Sequence, residues 1–396
     1  MRKVYLDNAA CTPVDERVRD AMLPYLFEHF GNPSSIHEYG SKPREAVEEA
    51  RKQVAELIGA DPSEIVFTSN GSEANNMAVK GTALANMAKG KHLIIFGIEH
   101  FSVMHAGKSM EKLGFKVSYL PADNNGIVKI EELKKLITSE TILVSVMHAN
   151  HEIGTIQPVK EIADLLRELN KERQVQKFPA ILLHTDAVQT VGTILVNVKD
   201  LGVDLLSLAG SQFYGPKGVG ALYIRKGIRV FPLIDGGIQE EGRRAGLENV
   251  PAIAGLGKAA EIAKSELAAN MQKMLPLRDM LMNGVLEKIK YSRLNGEVGR
   301  RLPNNVNISI EFIEGESMLM FLDGEGIAAS SGSACTSRAL KASHVLLGIG
   351  VPIEVCHGSI LFSLNKYTGK EDIEHVLKVF PEIVEKLRKM SPLYKG

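Results

Sequence analysis

Polar residues with chemically useful side chains follow apolar runs at three points of the sequence. FTSNGSEANN (Phe67–Asn76) passes from an apolar run through a small polar turn into a helical pattern, which either aims backbone N–H groups at a phosphate or simply caps a helix. In LLHTDAVQ (Leu182–Gln189), Asp186 follows an apolar run, where a carboxylate either pairs with a protonated ring nitrogen or caps a helix. His100 ends a third run, where it is either a ring that stacks on a ligand or a structural histidine. Each signal alone is weak, and each lies at the end of a predicted strand.

A single cysteine lies in a segment of small residues near the C-terminal end. ASSGSACTSRAL surrounds Cys335 with Ser, Gly and Ala, a composition that packs no core and allows a wide range of backbone conformations. These neighbours predict a solvent-reachable Cys335, whose thiolate accepts sulfur or ligates iron as a soft donor. Cys356 lies beside an apolar run and is predicted to be buried, and Cys11 is assigned no role.

The elements that must position these residues alternate between strand and helix patterns. Short apolar runs typical of buried strands lie at 64–68, 92–96, 141–147, 180–183, 204–208 and 221–224. Helical patterns lie between them at about 72–85, 104–113, 129–137 and 158–170. The alternation predicts an α/β protein with a parallel or mixed sheet covered by helices on both faces. From about residue 254 a long helix, a strand region at 305–310 and a closing helix predict a smaller α+β domain after about residue 262.

The composition excludes several classes of function. The 396 residues include 47 basic and 47 acidic ones, so charge gives no reason to expect nucleic acid or an anionic membrane as a partner. The N-terminus lacks the apolar segment of a signal peptide, and no apolar run approaches the roughly 18 residues that span a bilayer. The three cysteines form no disulfide framework and indicate a reducing compartment. We therefore expect a soluble, cytoplasmic protein, with two domains at this length.

Ordered motifs along the whole chain carry a resemblance to a known family. They are YLDNAACTPVD, FGNPSSIHEYG, FTSNGSEANN, EIGTIQP, DAVQTVG, YGPKGVGALY, RLPNNVN, SSGSACTS and SPLY. In these motifs the chain resembles the IscS/NifS-type cysteine desulfurases, which are fold-type I pyridoxal 5′-phosphate (PLP) enzymes of the class-V aminotransferase family. The resemblance implies a homodimer with a seven-stranded, mostly parallel sheet in a large domain at 15–262. It also implies a small domain built from 1–14 and 263–396, with a mobile cysteine loop at 330–338.

Several positions match the family's functional residues. The matches to the cofactor pocket are Gly71 and Ser72 for the phosphate-binding turn, His100 for the ring-stacking histidine, Asp186 for the partner of the pyridine nitrogen, and Gln189 for the ligand of the ring hydroxyl. Cys335 matches the loop cysteine that takes up sulfur as a persulfide. In the family the C-terminal end, here SPLYKG, binds the iron–sulfur scaffold protein (IscU-like); without the resemblance it is equally a frayed terminus.

Other positions depart from the family's pattern, and most of them belong to the cofactor pocket. Gln212 stands where the family has its Schiff-base lysine, and an amide neither forms that bond nor abstracts the substrate α-proton. Leu361 replaces the arginine that grips the substrate carboxylate. Ser211 replaces a histidine, and Ala209 replaces a serine that helps to hold the phosphate. Leu247 replaces a threonine that reaches the phosphate from the neighbouring subunit, and His151 replaces an asparagine of the substrate pocket. Lys217 is no substitute, because the family has this lysine as well as the catalytic one.

These departures favour a protein that has lost the desulfurase half-reaction and kept the cysteine-bearing half. The favoured hypothesis is an iron–sulfur cluster assembly component that binds a scaffold protein and uses Cys335 for sulfur relay. In an alternative form of this hypothesis, Cys335 ligates a 2Fe-2S cluster that is shared with the scaffold. In either form, PLP is bound non-covalently or is absent. The competing hypothesis is an active PLP-dependent cysteine desulfurase, which converts L-cysteine to L-alanine and an enzyme persulfide.

Two further patterns give weaker expectations. His148 and His151 are spaced like half of a metal site, although structural histidines are favoured there. Helical spacing from Ile373 to Met390 predicts a closing helix with one apolar face, interrupted by Pro381.

Overall fold

A computed structural model of the protein describes residues 2–331 and 342–394. Cys335, and with it most of the predicted cysteine loop at 330–338, lies outside the described residues. Within the described ranges, no helix is long and apolar enough to cross a membrane.

Strands and helices alternate along the chain, as the sequence predicts. The strands are β1 (Val4–Tyr5), β2 (Ile65–Thr68), β3 (His92–Phe96), β4 (Lys116–Leu120), β5 (Thr141–Ser145), β6 (Leu182–Asp186), β7 (Leu205–Ala209), β8 (Gly220–Ile224), β9 (Ser292–Leu294), β10 (Asn305–Ile310), β11 (Ile327–Ala328) and β12 (Ser359–Ser363). The helices are α1 (Glu16–Met22), α2 (Pro24–Phe27), α3 (Glu38–Ile58), α4 (Gly71–Asn76), α5 (Thr82–Asn86), α6 (Phe101–Glu111), α7 (Ile130–Leu136), α8 (Val159–Val175), α9 (Val198–Leu201), α10 (Val250–Lys288), α11 (Gly315–Gly324), α12 (His344–Gly348), α13 (Ile353–Cys356) and α14 (Lys370–Met390). A π-helical turn at Met77–Gly81 joins α4 to α5.

Seven of these strands form the large sheet, in the order β2-β8-β7-β6-β5-β3-β4. Neighbours pair in parallel except at β8, which is antiparallel to both β2 and β7. Side chains alternate between the two faces along each strand, so Ile94 and Phe96 join one apolar cluster while Leu93 and Ile95 join another. Helix residues cover both clusters, which is why the central strands are buried throughout. The predicted α/β fold class is confirmed.

The topology gathers several loops at one edge of this sheet. Because β2, β3, β5, β6 and β7 point the same way, their carboxyl ends meet there. Each of these ends leads into one of the polar stretches that sequence analysis singled out.

A third apolar cluster lies around smaller sheets. Antiparallel strands in the order β12-β10-β9 and the parallel pair β1-β11 pack with parts of α10, α11 and α14. The N-terminal strand β1 thus joins elements from the C-terminal third of the chain. The predicted domain boundary between 262 and 263 falls inside α10, and the division into domains stays a prediction.

The closing helix differs from its prediction at one residue. Pro381 lies inside α14 without ending it, so the expected interruption is wrong. A proline leaves the carbonyl four residues earlier without its helical donor. Here that carbonyl, of Leu377, accepts a hydrogen bond from Nζ of Lys288 on α10 at 3.0 Å, which compensates for the missing N–H.

Candidate functional site

A cavity of about 340 Å³ lies at the carboxyl edge of the large sheet. Its lining includes the following residues from the predicted site and its departures: Gly71, Ser72, His100, His151, Asp186, Gln189, Ala209, Ser211, Gln212 and Leu361. Leu247, assigned by resemblance to a neighbouring subunit's pocket, lies outside this cavity and is 63% exposed. The fold therefore brings the predicted ring, phosphate and substrate positions of one chain together.

Asp186 is the last residue of β6, so the pairing of buried strands fixes its backbone at the cavity wall. Its carboxylate accepts hydrogen bonds from Nδ2 of Asn75 at 2.6 Å and from the backbone N–H of Val188 at 3.0 Å. Burial raises the pKa of this carboxyl, and nearby His100 opposes the shift. Asp186 is thus a positioned acceptor whose charged form gains from a cationic partner.

Glu99 is a second acid behind the same wall, and sequence analysis missed it. Its side chain is fully buried, and Oε1 accepts a hydrogen bond from the backbone N–H of Met147 at 2.6 Å. Burial and the nearby charge of Asp186 raise the pKa of Glu99 well above its usual range. Burial at this position thus favours the neutral form of the Glu99 carboxyl. The available signal in the sequence was the position of Glu99 directly before His100. Nothing in the sequence indicates that the side chain of Glu99 is buried.

His100 caps the start of α6 with its ring. Nδ1 accepts a hydrogen bond from the backbone N–H of Ser102 at 3.2 Å and lies 2.7 Å from Oγ of the same residue. Because Nδ1 is an acceptor, the neutral ring carries its proton on Nε2. The ring meets that of His151 edge to face, with centroids 5.2 Å apart. These contacts hold one imidazole at the cavity beside another.

The start of α4 forms another part of the wall. The side chain of Asn70 caps this helix by accepting a hydrogen bond from the N–H of Glu73 at 2.8 Å. A Cβ on Gly71 would lie 2.8 Å from Cγ2 of Val188, so only glycine allows this close approach of α4 to the loop after β6. The positive end of the helical run from Gly71 thus borders the cavity.

Two amides connect the N-terminal segment to the cavity floor. Gln212 donates from Nε2 to the carbonyl of Ala10 at 3.1 Å. Gln189 donates to the carbonyl of Ala9 at 3.0 Å and lies 3.5 Å from Oε1 of Gln212. The position at which the family has its lysine is therefore filled by a hydrogen-bonded amide.

The opposite wall is apolar or acidic. Leu361 is 2% exposed on β12 and exchanges backbone hydrogen bonds with Ser330. Glu152 is also buried, and its Oε2 accepts a hydrogen bond from Oγ of Ser343 at 2.5 Å. Burial raises the pKa of Glu152 to about 7. Among the described lining residues there is no lysine or arginine, so this cavity offers acids and amides but no permanent cation.

Comparison with known proteins settles the family. A family model described as Aminotransferase class-V matches residues 4–376. The chain belongs to the class-V aminotransferases. The predicted resemblance is confirmed, and membership of this family implies dependence on PLP.

Relatives of this class-V aminotransferase include named desulfurases. Two proteins named Cysteine desulfurase IscS, from Dictyoglomus turgidum and Methanosarcina thermophila, are 52% and 53% identical to this chain. Each alignment covers 99% of this chain, with 97% and 94% of the relative. A solved structure named NIFS-like protein has a TM-score of 0.90 at 39% identity, covering 98% of this chain and all of its own. Another, the NifS-like protein from Rickettsia africae, has a TM-score of 0.84 at 30% identity, covering 97% of this chain and all of its own.

The cavity of this class-V aminotransferase fits PLP only in part. The Asp186 carboxylate and the His100 ring suit a protonated pyridine ring, and the helix start at Gly71 suits an anion. Covalent attachment does not fit, because no lysine lines the cavity within the described chain and Lys217 is exposed outside it. The residues present therefore do not fit the covalently held cofactor on which the family's chemistry depends.

The remaining candidates lie apart from this site. Cys356 is 3% exposed, as predicted, and burial raises the pKa of its thiol to about 11. Cys11 is a half-buried free thiol that does not line the cavity. His148 is buried with Nδ1 3.0 Å from Oγ1 of Thr190, whereas His151 lines the cavity. The two histidines that are spaced like half of a metal site thus lie in different surroundings.

Proposed function

We propose that this class-V aminotransferase is an iron–sulfur cluster assembly protein that binds a scaffold protein and uses Cys335 to relay sulfur or to ligate a cluster. The names of its relatives, Cysteine desulfurase IscS, support the assignment to sulfur chemistry. The small-residue sequence around Cys335 supports an accessible thiol. The proposal places desulfuration itself elsewhere.

The hydrogen-bonded amide of Gln212 is the observation that carries this proposal. A desulfurase needs a basic amine at this position to bind PLP and to take the substrate α-proton. An amide has no basic nitrogen, and Nε2 of Gln212 already donates to the carbonyl of Ala10. The cavity around it contains no amine within the described residues.

The charge of the cavity supports the same conclusion. An amino-acid substrate brings a carboxylate, which needs a cation or several donors once it is removed from water. Leu361 offers neither, and the buried acids Glu152 and Asp186 add no positive charge to the cavity. L-cysteine therefore has no electrostatic reason to bind here in the orientation that desulfuration requires.

PLP itself, where it binds, is held reversibly. Asp186, His100 and Gln189 would hold the ring, and Gly71 with Ser72 would hold the phosphate. When bound, the cofactor supplies an electron sink for carbanions. The residues of this chain contribute binding and orientation only, because none of the described lining residues supplies the covalent link.

Sulfur relay through Cys335 needs no cofactor. Its thiolate attacks the terminal sulfur of a persulfide donor, the sulfur–sulfur bond of the donor breaks, and the donor leaves as a thiolate. The same exchange passes the sulfur to a cysteine of the scaffold. Alternatively, the thiolate completes the coordination of a 2Fe-2S cluster, since thiolates are the usual ligands of such clusters.

A competing proposal is an active PLP-dependent cysteine desulfurase, favoured by relatives of that name at 52% and 53% identity. The absorbance spectrum of the purified protein with added PLP separates the two. Our proposal expects a spectrum that dialysis returns to that of protein alone, with no sulfide released from L-cysteine. A visible band that survives dialysis, together with sulfide release, would establish the desulfurase.

The assembly is part of the same proposal. We propose a cytoplasmic homodimer whose subunits divide into domains at 15–262 and at 1–14 with 263–396. Large apolar side chains grouped near the start of the chain support the dimer, because they are exposed in a single chain: Phe27, Phe30, Ile36 and Tyr39. Sedimentation of the purified protein measures this association directly.

A further inference from the structure

Two amide side chains at the floor of the cavity turn their oxygen atoms away from the N-terminal segment. Nε2 of Gln212 donates to the carbonyl of Ala10, and Nε2 of Gln189 donates to the carbonyl of Ala9. Because a carbonyl only accepts hydrogen bonds, these contacts fix which end of each amide is the nitrogen. Among the described residues, Oε1 of Gln212 has one long contact, to Nε2 of Gln189 at 3.5 Å. The floor therefore offers an acceptor to a ligand.

The acids around the cavity have no lysine or arginine to balance them among the described lining residues. Asp186 and Glu152 line the cavity, and Glu99 is buried behind the wall that carries Asp186, with no hydrogen-bond partner for its Oε2 in the described chain. Oε1 of Glu152 lies 3.8 Å from Nε2 of His151. Burial lowers the pKa of His151 well below its usual range, which favours the neutral ring. A carboxylate in these surroundings gains from a ligand that carries a positive charge.

The aldehyde and amine forms of the cofactor differ at one substituent of the pyridine ring. PLP carries an aldehyde there, and a protein holds it firmly by a covalent bond to a lysine amine. Pyridoxamine 5′-phosphate carries an aminomethyl group, which donates hydrogen bonds and is cationic when protonated. The ring and the phosphate are the same in both molecules. The residues around this one substituent therefore decide which form binds more tightly.

The described residues of this chain suit the amine and not the aldehyde. The cavity contains no amine that could capture an aldehyde. An aldehyde oxygen needs a donor, and the amide nitrogens of Gln189 and Gln212 already donate to backbone carbonyls. An aminomethyl group needs acceptors, which Oε1 of Gln212 and the carboxylate of Glu152 supply.

We propose that the cavity binds pyridoxamine 5′-phosphate, the amine form of the cofactor, more tightly than it binds PLP. The inference rests on the proposed function, in which the cofactor has no covalent link to this chain. Gln212, which removes that link, becomes an acceptor for the amine, and Glu152 supplies a carboxylate for the same group. The amine is a stable occupant, because Leu361 offers no cation to the carboxylate of an amino-acid or keto-acid substrate.

The test measures the affinity of the dialysed full-length protein for two probes by isothermal titration calorimetry. Pyridoxamine 5′-phosphate is compared with 4-deoxypyridoxine 5′-phosphate, which has a methyl group in place of the aminomethyl group and does not react with surface lysines. We expect the amine probe to bind about tenfold or more tightly, because hydrogen bonds to a charged group contribute this much. Equal affinities, or no binding of either probe, overturn the proposal.

Competition measures the aldehyde form on the same scale. PLP is added to the protein saturated with the amine probe, and the amount of probe released is followed. We expect PLP to displace the probe only at about tenfold or greater excess. Gln212→Lys adds a second amine and the means of covalent capture, so it should reverse this preference. Displacement from the unaltered protein at equal or lower concentrations of PLP also overturns the proposal.

Variants assign the selectivity to the two acceptors. Gln212→Leu removes the amide oxygen, and Glu152→Gln removes the negative charge at nearly constant shape. Each should weaken the amine probe by about tenfold and leave the affinity for the methyl probe unchanged, which shows that the cavity is intact. Glu172→Gln, an exposed glutamate on α8, is the matched control and should change neither affinity. Equal losses for both probes in the two cavity variants would mean that these residues do not recognise the amine, and the proposal would fail.

Sulfide release separates this inference from the proposed function. It is measured with L-cysteine and protein saturated with PLP. If the two probes bind equally and no sulfide is released, this inference fails and the proposed function stands. If PLP survives dialysis and sulfide is released, the proposed function fails as well.

Discussion

The side-chain amide of Gln212 lies 3.1 Å from the backbone carbonyl of Ala10 and donates a hydrogen bond to it. Next to it, Gln189 donates to the carbonyl of Ala9 at 3.0 Å. The loop after β7 therefore holds the N-terminal segment through the residue at which the family carries its cofactor. In this chain that position has a structural role, and its replacement has measurable consequences.

Replacing Gln212 by alanine should lower the free energy of unfolding by about 1 kcal/mol, because the carbonyl of Ala10 loses its donor. Urea unfolding measures the change. Ser211→Ala is the matched control, since the backbone carbonyl of Ser211, rather than its hydroxyl, accepts the hydrogen bonds from Thr12. A Gln212→Ala variant as stable as this control would show that the amide contact contributes nothing.

Covalent capture of PLP should require a lysine at position 212. Incubation of the unaltered protein with PLP and borohydride should leave no pyridoxyl group on a lysine of the cavity, because none lines it within the described chain. Gln212→Lys should gain the modification at that residue, as peptide mass spectrometry would detect. A stable adduct in the unaltered protein, for instance on Lys217, would contradict this expectation.

Cysteine-dependent sulfide release should stay at the background of free PLP. Loss of the general base alone removes a factor of about 10² to 10⁴, and the apolar Leu361 removes the carboxylate clamp as well. Gln212→Lys combined with Leu361→Arg should recover part of the turnover, measured as sulfide with L-cysteine as substrate. Rapid sulfide release by the unaltered protein would establish the competing desulfurase proposal instead.

Much of the fold follows from local patterns. Continuous apolar runs marked β2, β3, β5, β6, β7 and β8 within a few residues, because strands buried on both faces need no polar alternation. The edge strand β4 was not predicted from the sequence. Its residues, KVSYL, are partly exposed, so the segment lacks the continuous apolar run that marks a buried strand. The prediction at Pro381 was wrong for another reason. The donor that replaces the missing helical N–H is Lys288, which lies on a helix distant in sequence.

The site residues that lie in recognisable motifs could be predicted from the sequence, whereas those whose properties depend on burial could not. Asp186 and His100 end strands in recognisable motifs, and the structure places them at one cavity. Glu99 and Glu152 look like ordinary polar residues in the sequence, yet both are buried acids with raised pKa values. Desolvation depends on which elements pack around a side chain, and local spacing does not report that.

Stability should fall with rising pH because of Glu152. Its pKa rises from 4.5 in the unfolded chain to about 7 in the folded one, so the folded state binds the proton more tightly. The stabilisation is present in full below pH 4.5 and is lost as pH rises through about 7. Glu152→Gln has no carboxyl group that titrates at this position. The free energy of unfolding of this variant, relative to that of the unaltered protein, should therefore increase between pH 4.5 and about 7. The increase should reach up to roughly 3 kcal/mol.

Urea unfolding at several pH values measures this difference. Glu172→Gln, an exposed glutamate on α8, is the control and should follow the unaltered protein at every pH. A constant difference between Glu152→Gln and the unaltered protein across the range would mean that Glu152 keeps an ordinary pKa in the fold.

Cys335→Ser should separate docking from sulfur chemistry. A serine hydroxyl neither accepts sulfur nor ligates iron as a soft donor, so the variant should lose cluster retention or sulfur transfer. The tail at 391–394 is unchanged, so the complex with the scaffold should form as before. Deleting the tail removes the exposed Leu393 and should weaken the complex while leaving Cys335 equally reactive toward an alkylating agent. Anaerobic co-purification of each variant with the scaffold, followed by measurement of bound iron and sulfide, gives both quantities. If Cys335→Ser holds as much iron and sulfide as the unaltered protein, this cysteine is not the residue through which the chain serves cluster assembly.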